Sequence, residues 1–331
     1  MATIIRPISD PTYAYTRIHL QHWVDVLEAC GWARSDSAGQ VDIATASTAA
    51  GAVGTLIFES TDALSATRPI YLKVYFNNLA HGAFQRCFAS SIGVSFELDK
   101  VTGNLTGSAR YFGQCQTAST YPSTRAANWV LSIFASGDGG SLRICEQPGA
   151  FAYLNTQPDR GVHPAVFISI ARTKDVDGNP TADGVLVCSP EASWTSTVRP
   201  MTMSFFTPEA GFYATSRSLC PFLTEGSFAG SSSPPSAGQV ASVGGLPQMQ
   251  HPWACTPRLY PFEDVAYFSH FAAAAIGDTM DVQVGAATKK YLFLGRTGTP
   301  PSTVGAWGNT SINYESNADL WIDAGIAILW E

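Results

Sequence analysis

Ionic side chains are what this sequence has least of. Lys and Arg number 19 and Asp and Glu 26, so charged residues make up 14% of the 331, well under the roughly 25% of an ordinary soluble domain. A surface this neutral favours association with other protein. The plainer alternative is a large all-β domain coated with Ser and Thr. The net charge is −7 with a pI near 5.3, and no run of Lys or Arg occurs. Nucleic acid is therefore not the expected partner, since its footprint is a basic stripe. Long apolar runs are missing too: Phe271 to Ile276 is far too short for a membrane span. Met1-Ala2-Thr3-Ile4-Ile5-Arg6 lacks the charged region and long apolar run of a signal peptide.

Catalytic signatures are equally sparse. G-x-S-x-G, Walker and Rossmann fingerprints are absent, and the glycines between Gly103 and Gly113 have the wrong spacing for a phosphate loop. The seven cysteines (Cys30, Cys87, Cys115, Cys145, Cys188, Cys220, Cys255) are odd in number, widely spaced and without a C-x-x-C. They are expected to be reduced core residues of a protein made in a cytoplasm, not a zinc site or a disulfide framework. No internal repeat is evident. No catalytic, cofactor-binding or metal residue is assigned, and the chain is not expected to be an enzyme.

What is present is hydrophobic alternation. Apolar residues at 45% exclude a disordered chain, and the length allows a large core. Between Arg68 and Phe112, Ile70, Leu72, Val74 and Phe76 share one face against Tyr71, Lys73 and Tyr75, and Ile92, Val94, Phe96 and Leu98 oppose Ser91, Gly93, Ser95 and Glu97. A period of two predicts half-buried strands. If these strands are neighbours, Lys73 and Glu97 can pair, which would fix register and add only about a few tenths of a kcal/mol. Asp99 to Asn104 is the turn into a third strand, Leu105 to Phe112.

Along the chain, Ser9-Asp10-Pro11 is a helix start. Tyr13 to Cys30 carries Leu20, Trp23, Val24 and Leu27 at amphipathic-helix spacing, with Gly31 as its C-terminal cap. Ile18, Val26 and Ala29 lie off this stripe and offer a second surface. Strands are expected at Gln40 to Thr45, Val53 to Ser60, Ala127 to Ala135 and Ser141 to Glu146, the last two joined through Ser136-Gly137-Asp138-Gly139-Gly140. A second hairpin joins Val166 to Arg172 with Gly184 to Cys188, and Pro200 to Phe206 and Phe212-Tyr213 add short strands. Gly226 to Gln250 contains no charged residue and is dense in Gly, Ser and Pro, the composition of a linker or a partner-contacting arm. After Pro252 to Pro261, Asp264 to Ile276 is a short helix or buried strand, and Met280 to Gly285 and Lys289 to Leu294 are strands. Leu320 to Glu331, closing on Trp330, must dock in a sheet or an interface. The expected fold is mainly β: antiparallel, β-sandwich-like sheets with one N-terminal amphipathic helix. Residues 1–225 would hold the helix and main β domain, 226–250 the loop or arm, and 251–331 a C-terminal β segment that could pack on the main domain.

Each chemical candidate has a plainer explanation that is preferred. Asp175-x-Asp177-x-Asn179 imitates an EF-hand start, but Pro180 stands at the obligatory Gly and Leu186 at the bidentate Glu, which favours a hairpin turn over calcium. His19 and His22 could share a metal but show no third ligand, which favours surface or interface histidines. Glu263, Asp264 and His270 would suit glycoside hydrolysis only at a separation the sequence does not fix. The 8 Trp, 12 Tyr and 18 Phe could stack sugars on a sandwich face, though aromatics are more often core. Asn104-Leu105-Thr106 and Asn309-Thr310-Ser311 are glycosylation acceptors only on a secretory route.

The strand Pro69-Ile70-Tyr71-Leu72-Lys73-Val74-Tyr75, then Ser91-Ile92-Gly93-Val94, the turn Gly103-Asn104-Leu105-Thr106-Gly107 and the later Lys290-Tyr291-Leu292-Phe293-Leu294 resemble virion structural proteins of tailed bacteriophages. The likeness is one of structural style, spread over about half the chain, and carries over no functional residue. It implies a virion component of the tail, tail tip or baseplate type, made in the host cytoplasm. Its partners would be copies of itself and other virion proteins. A major capsid protein would show a long helix and an extended arm. The competing class is a receptor- or carbohydrate-binding β-sandwich of the tail, with a host-surface receptor or glycan as partner. A third is a polysaccharide-degrading enzyme with a carboxylate pair in a cleft.

Overall fold

In the computed structural model the described residues are 2–8, 15–81, 84–107, 109–112, 131–148, 166–189, 202–207, 211–213, 218–219, 249–250, 253–255, 259–261, 264–268, 278–284, 286–296 and 325–330. The chain forms two compact units. One comprises Met1–Ala150, His163–Ser189 and Phe206–Tyr213, and the other Phe151–Val162, Pro190–Phe205 and Ala214–Glu331.

The first unit opens with strand β1 (Ala2–Ile8) and helix α1 (Tyr15–Ala29), the single α-helix among the described residues. Helix α1 stops where glycine allows it. Gly31 has φ +80°, its N–H donates to Glu28 O at 2.9 Å, and the Trp32 N–H reaches back to Leu27 O at 2.9 Å, a Schellman closure. Strands β2 (Ala33–Arg34), β3 (Gly51–Glu59), β4 (Tyr71–His81), β5 (Phe84–Ser95) and, past a small hairpin of β6 (Glu97–Asp99) and β7 (Asn104–Thr106), β8 (Arg110–Phe112) follow. The order β2-β3-β4-β5-β8 makes one antiparallel sheet. Then come β9 (Leu131–Gly137), β10 (Leu142–Pro148), β11 (Val166–Lys174), β12 (Pro180–Ser189), β13 (Thr202–Thr207, of which only Phe206 and Thr207 belong to this unit) and β14 (Gly211–Tyr213). With β1 they form a seven-stranded sheet in the order β1-β9-β10-β11-β12-β13-β14.

These two sheets and α1 share one core. From the first sheet come Leu56, Phe58, Leu72, Val74, Phe76, Ile92 and Val94; from the second Ile133, Leu142, Ile144, Ile168, Ile170, Val185 and Val187; from the helix Leu20, Trp23, Val24 and Leu27. Burying each such side chain contributes about 1.5–3 kcal/mol. The sandwich-like arrangement, and the faces on which Ile70 to Phe76 and Ile92 to Phe96 lie, follow the alternation of the sequence. On the other face of β9, β10 and β11, Phe134, Ser136, Arg143, Cys145 and Ser169 are buried too.

Three expectations are corrected. Gln40 to Thr45 is not a strand: Ile43–Thr45 is a 3₁₀ turn, because the Asp42 carboxylate accepts from Ala44 N at 3.0 Å and Thr45 Oγ1 at 2.9 Å and so competes with ladder bonding. Leu105 to Phe112 is broken into β7 and β8 around Gly107, whose φ is +67°. Lys73 stands opposite Gly93, not Glu97, and Glu97 pairs with Thr106 in the small hairpin. In β5 the register slips between Tyr75↔Ser91 and Phe76↔Ala89, leaving Ser90 as an extra residue. This bulge shifts the parity, so Cys87 and Ala89 face the same core as Ile92 and Val94.

The second unit holds two antiparallel sheets. One has the order β15 (Ser218–Leu219), β17 (Trp253–Cys255), β18 (Leu259–Pro261). The other runs β16 (Met249–Gln250), β19 (Val265–Phe268), β22 (Gly325–Leu329), β21 (Ala287–Arg296), β20 (Thr279–Val284). The apolar end therefore docks in a sheet: β22 pairs on both sides, and Ala327, Ile328 and Trp330 are buried. The start at Ser9-Asp10-Pro11, nearly all of the Gly226 to Gln250 stretch, and Phe271 to Ile276 lie outside the described residues. Among the described residues no helix is long and apolar enough to cross a membrane.

Candidate functional site

The polar chemistry of the first unit gathers in three places. At the first, β10 points Leu142, Ile144 and Glu146 into the core by strict alternation. A carboxylate at such a position needs donors on every side. Helix α1 brings two on one face, four residues apart: His19 Nε2 lies 2.8 Å and Trp23 Nε1 2.7 Å from Glu146 Oε2. Strand β5 brings the third, the Ala89 N–H, 2.9 Å from Oε1. That amide is free for the role because β8 pairs with β5 only at Ile92 to Val94. His19, Trp23 and Glu146 are all fully buried, and Phe76 meets both rings edge-on, at 6.2 Å from His19 and 5.6 Å from Trp23. Burial and the nearby Glu146 charge push the Cys87 thiol well above its usual range. The cluster holds an acid, an imidazole and a thiol, but at zero exposure it admits no substrate. It is a polar lock between helix and both sheets.

The second place is Arg172 on β11, whose guanidinium is 2% exposed against 18% for the Asp62 carboxylate. Nε and Nη2 fork onto Asp62, with Nη2–Oδ1 at 2.7 Å, and Nη2 also reaches the Arg68 carbonyl at 3.0 Å and Ser65 Oγ at 3.2 Å. The bidentate geometry fixes the 3₁₀ turn Ala63–Ala66 against the second sheet. Next to it the Gly139 N–H donates to Cys30 O and the Thr61 N–H to Gly139 O, both at 2.9 Å.

The third place is the outer face of the first sheet. Here the β6–β7 hairpin folds back over β4. Lys73 Nζ donates to Gly103 O at 2.7 Å and to Asn104 Oδ1 at 3.4 Å, and burial lowers its pKa. Ala38 N donates to Lys100 O at 2.9 Å, and Lys100 Nζ is 2.7 Å from Asp36. Gly103, at φ +69°, passes so near Ala38 that a Cβ would lie 2.1 Å from its carbonyl oxygen. Beside this clasp, Tyr111 on β8 stands opposite Gly93. A Cβ on Gly93 would come within 2.6 Å of Tyr111 Cε1. The Tyr75 and Tyr111 rings meet edge-on at 5.7 Å, and Lys73 Nζ lies 5.4 Å from the Tyr75 ring centre. Burial, with a hydrogen bond to Tyr111, raises the Tyr75 phenol above its normal range.

Of the residues singled out in the sequence, His19 is not a surface or interface histidine: it is fully buried, facing Glu146, while His22 is half-buried one helical step away. No group of three or more His, Cys, Asp or Glu with metal-holding geometry occurs among the described residues. Asp175 ties a hairpin turn, as preferred: its Oδ1 accepts from Asp177 N and Asn179 N, both at 2.9 Å, and the Asn179 backbone bond leads in lowering its pKa. Of Glu263, Asp264 and His270, only Asp264 lies within the described residues. The Cys30, Cys87 and Cys145 side chains are buried. Glu146 and Arg172 were missed as sites. Their signal was available: each is a charged residue at an inward strand position, which demands a partner from elsewhere in the chain.

No protein-family model, no curated protein and no solved structure matches the chain.

Proposed function

We propose that the chain is a non-enzymatic structural component of a tailed-bacteriophage virion, of the tail, tail tip or baseplate, acting by assembly with copies of itself and other virion proteins. The observation that carries this is how little charge is left for the surface. Charged residues are only 14% of the sequence, and Lys73, Arg143, Glu146 and Arg172 are buried. A mainly antiparallel β fold with so neutral an exterior keeps itself dispersed by burying faces against neighbours. Two hairpin tips offer apolar contact points, Val101 at 83% exposure and Val176 at 96%. Buried polar locks would let such a subunit keep its shape while many copies share the cost of ordering.

The test is the mass of the purified chain by sedimentation, together with mass spectrometry of intact particles. A closed oligomer, or the chain found among the virion proteins, supports the assignment. A soluble monomer absent from every particle removes it.

A further inference from the structure

Tyr111 is the only aromatic among the large apolar side chains exposed in the described residues, at 45%; the others are Val101 and Val176. We propose that Tyr111, braced by Tyr75 and bordered by Ser91, is a stacking platform for a neutral hexopyranose unit of a glycan. The site does not depend on whether the chain assembles.

Its geometry is built by the sheet. β8 is held to β5 by the pairs Ile92↔Phe112, Gly93↔Tyr111 and Val94↔Arg110, and the missing side chain at Gly93 makes room for the Tyr111 ring. Tyr75 supports that ring edge-on, with the ring planes at 66° and the centres 5.7 Å apart. The ring is therefore fixed before any ligand arrives, and a tyrosine loses little side-chain entropy on binding. Ser91, partly exposed, lies across from Tyr75 on the same face and supplies a hydroxyl beside the aromatic surface.

Size and charge select the ligand class. One half-exposed ring is far smaller than the roughly 800 Å² a side that a stable protein interface needs. It matches one pyranose, whose C–H face lies on an aromatic while its hydroxyls meet polar neighbours. Lys73, whose Nζ lies 5.4 Å from the Tyr75 ring centre, is 6% exposed and already donates to Gly103 O at 2.7 Å, so it does not call for an acidic sugar.

The full chain would be applied to a glycan array bearing neutral and acidic termini, and hits checked by saturation-transfer NMR with the methyl glycosides of glucose, galactose and mannose. Retention of neutral hexose termini is expected. Tyr111→Leu, which keeps apolar bulk without the ring, should weaken binding by about tenfold or more. Tyr111→Phe, which keeps the ring over Gly93, should stay within about threefold. The proposal is overturned if no neutral hexose is retained, if only acidic termini are held, or if Tyr111→Leu binds like the unaltered chain. Because Tyr111→Phe preserves the packing, its binding separates loss of the platform from loss of the fold.

Discussion

Replacing Glu146 by Ala would strip the acceptor from three buried donors at once. His19 Nε2, Trp23 Nε1 and the Ala89 N–H lie 2.8, 2.7 and 2.9 Å from the carboxylate. A donor left unpaired in a dry interior costs about 1–3 kcal/mol, and the truncated side chain adds a cavity. The three costs share one site and do not simply add. With the cavity, the loss should come to about 3–5 kcal/mol, a large share of the roughly 5–15 kcal/mol that holds a domain together. Glu146→Gln is the sharper probe. It keeps the shape and one acceptor oxygen, which can serve either the Ala89 amide or the two ring N–H groups, while its NH₂ confronts the other. Its cost should be about 1–3 kcal/mol. Urea titration followed by far-UV circular dichroism gives the ranking, and hydrogen exchange of the α1 peptide shows where the loss falls. The expected order of stability is unaltered chain, then Glu146→Gln, then Glu146→Ala, with faster exchange in Tyr15–Ala29. If Glu146→Ala lies within about 1 kcal/mol of the unaltered chain, the lock does not hold the helix and the reasoning fails.

Gly103→Ala meets two penalties: a backbone at φ +69° that L residues avoid, and a Cβ 2.1 Å from the Ala38 carbonyl oxygen. The clasp over the outer face should open, with a loss of about 2 kcal/mol or more in a thermal melt; an unchanged melting temperature would count against it. Burial pushes the Cys30 thiol up from 9.0 to about 12, partly countered by Arg143. The folded form thus holds this proton more tightly. Its contribution to stability is whole below pH 9.0 and is lost as the pH climbs toward about 12, at up to about 1.4 kcal/mol per pH unit. Cys30→Ala should flatten the fall of melting temperature across that window, and an unaltered slope would show that the thiol plays no part.

What could be read from the sequence was local. The alternation from Ile70 to Phe76 and the Gly31 stop needed only neighbours along the chain, and both are realised. Asp138-Gly139-Gly140 and Asp175 to Asn179 close hairpins for the same reason. Gln40 to Thr45 failed because one short carboxylate, Asp42, outbid the ladder. The Ser90 bulge was hidden because two adjacent serines, Ser90 and Ser91, give no apolar mark of the slip in parity. The partners of Glu146 were illegible for another reason: they lie 127, 123 and 57 positions away. A sequence can show that an inward carboxylate needs donors, but not which helix will deliver them. The Tyr111 platform was hidden likewise, since only the β5–β8 register sets that ring over Gly93.

The sheet of the second unit places β22 between β19 and β21, which border it and not each other. The hairpin β20–β21 can zip up from its own turn, but its ladder to β19 has no rungs until Gly325–Leu329 is threaded into the gap. Closure is therefore a long-range event, slow beside the hairpins, and while it is pending the slot has two open edges. A matching segment from another copy could fill that slot as readily as the chain's own, so the step that finishes one molecule is also the step at which two could become entangled.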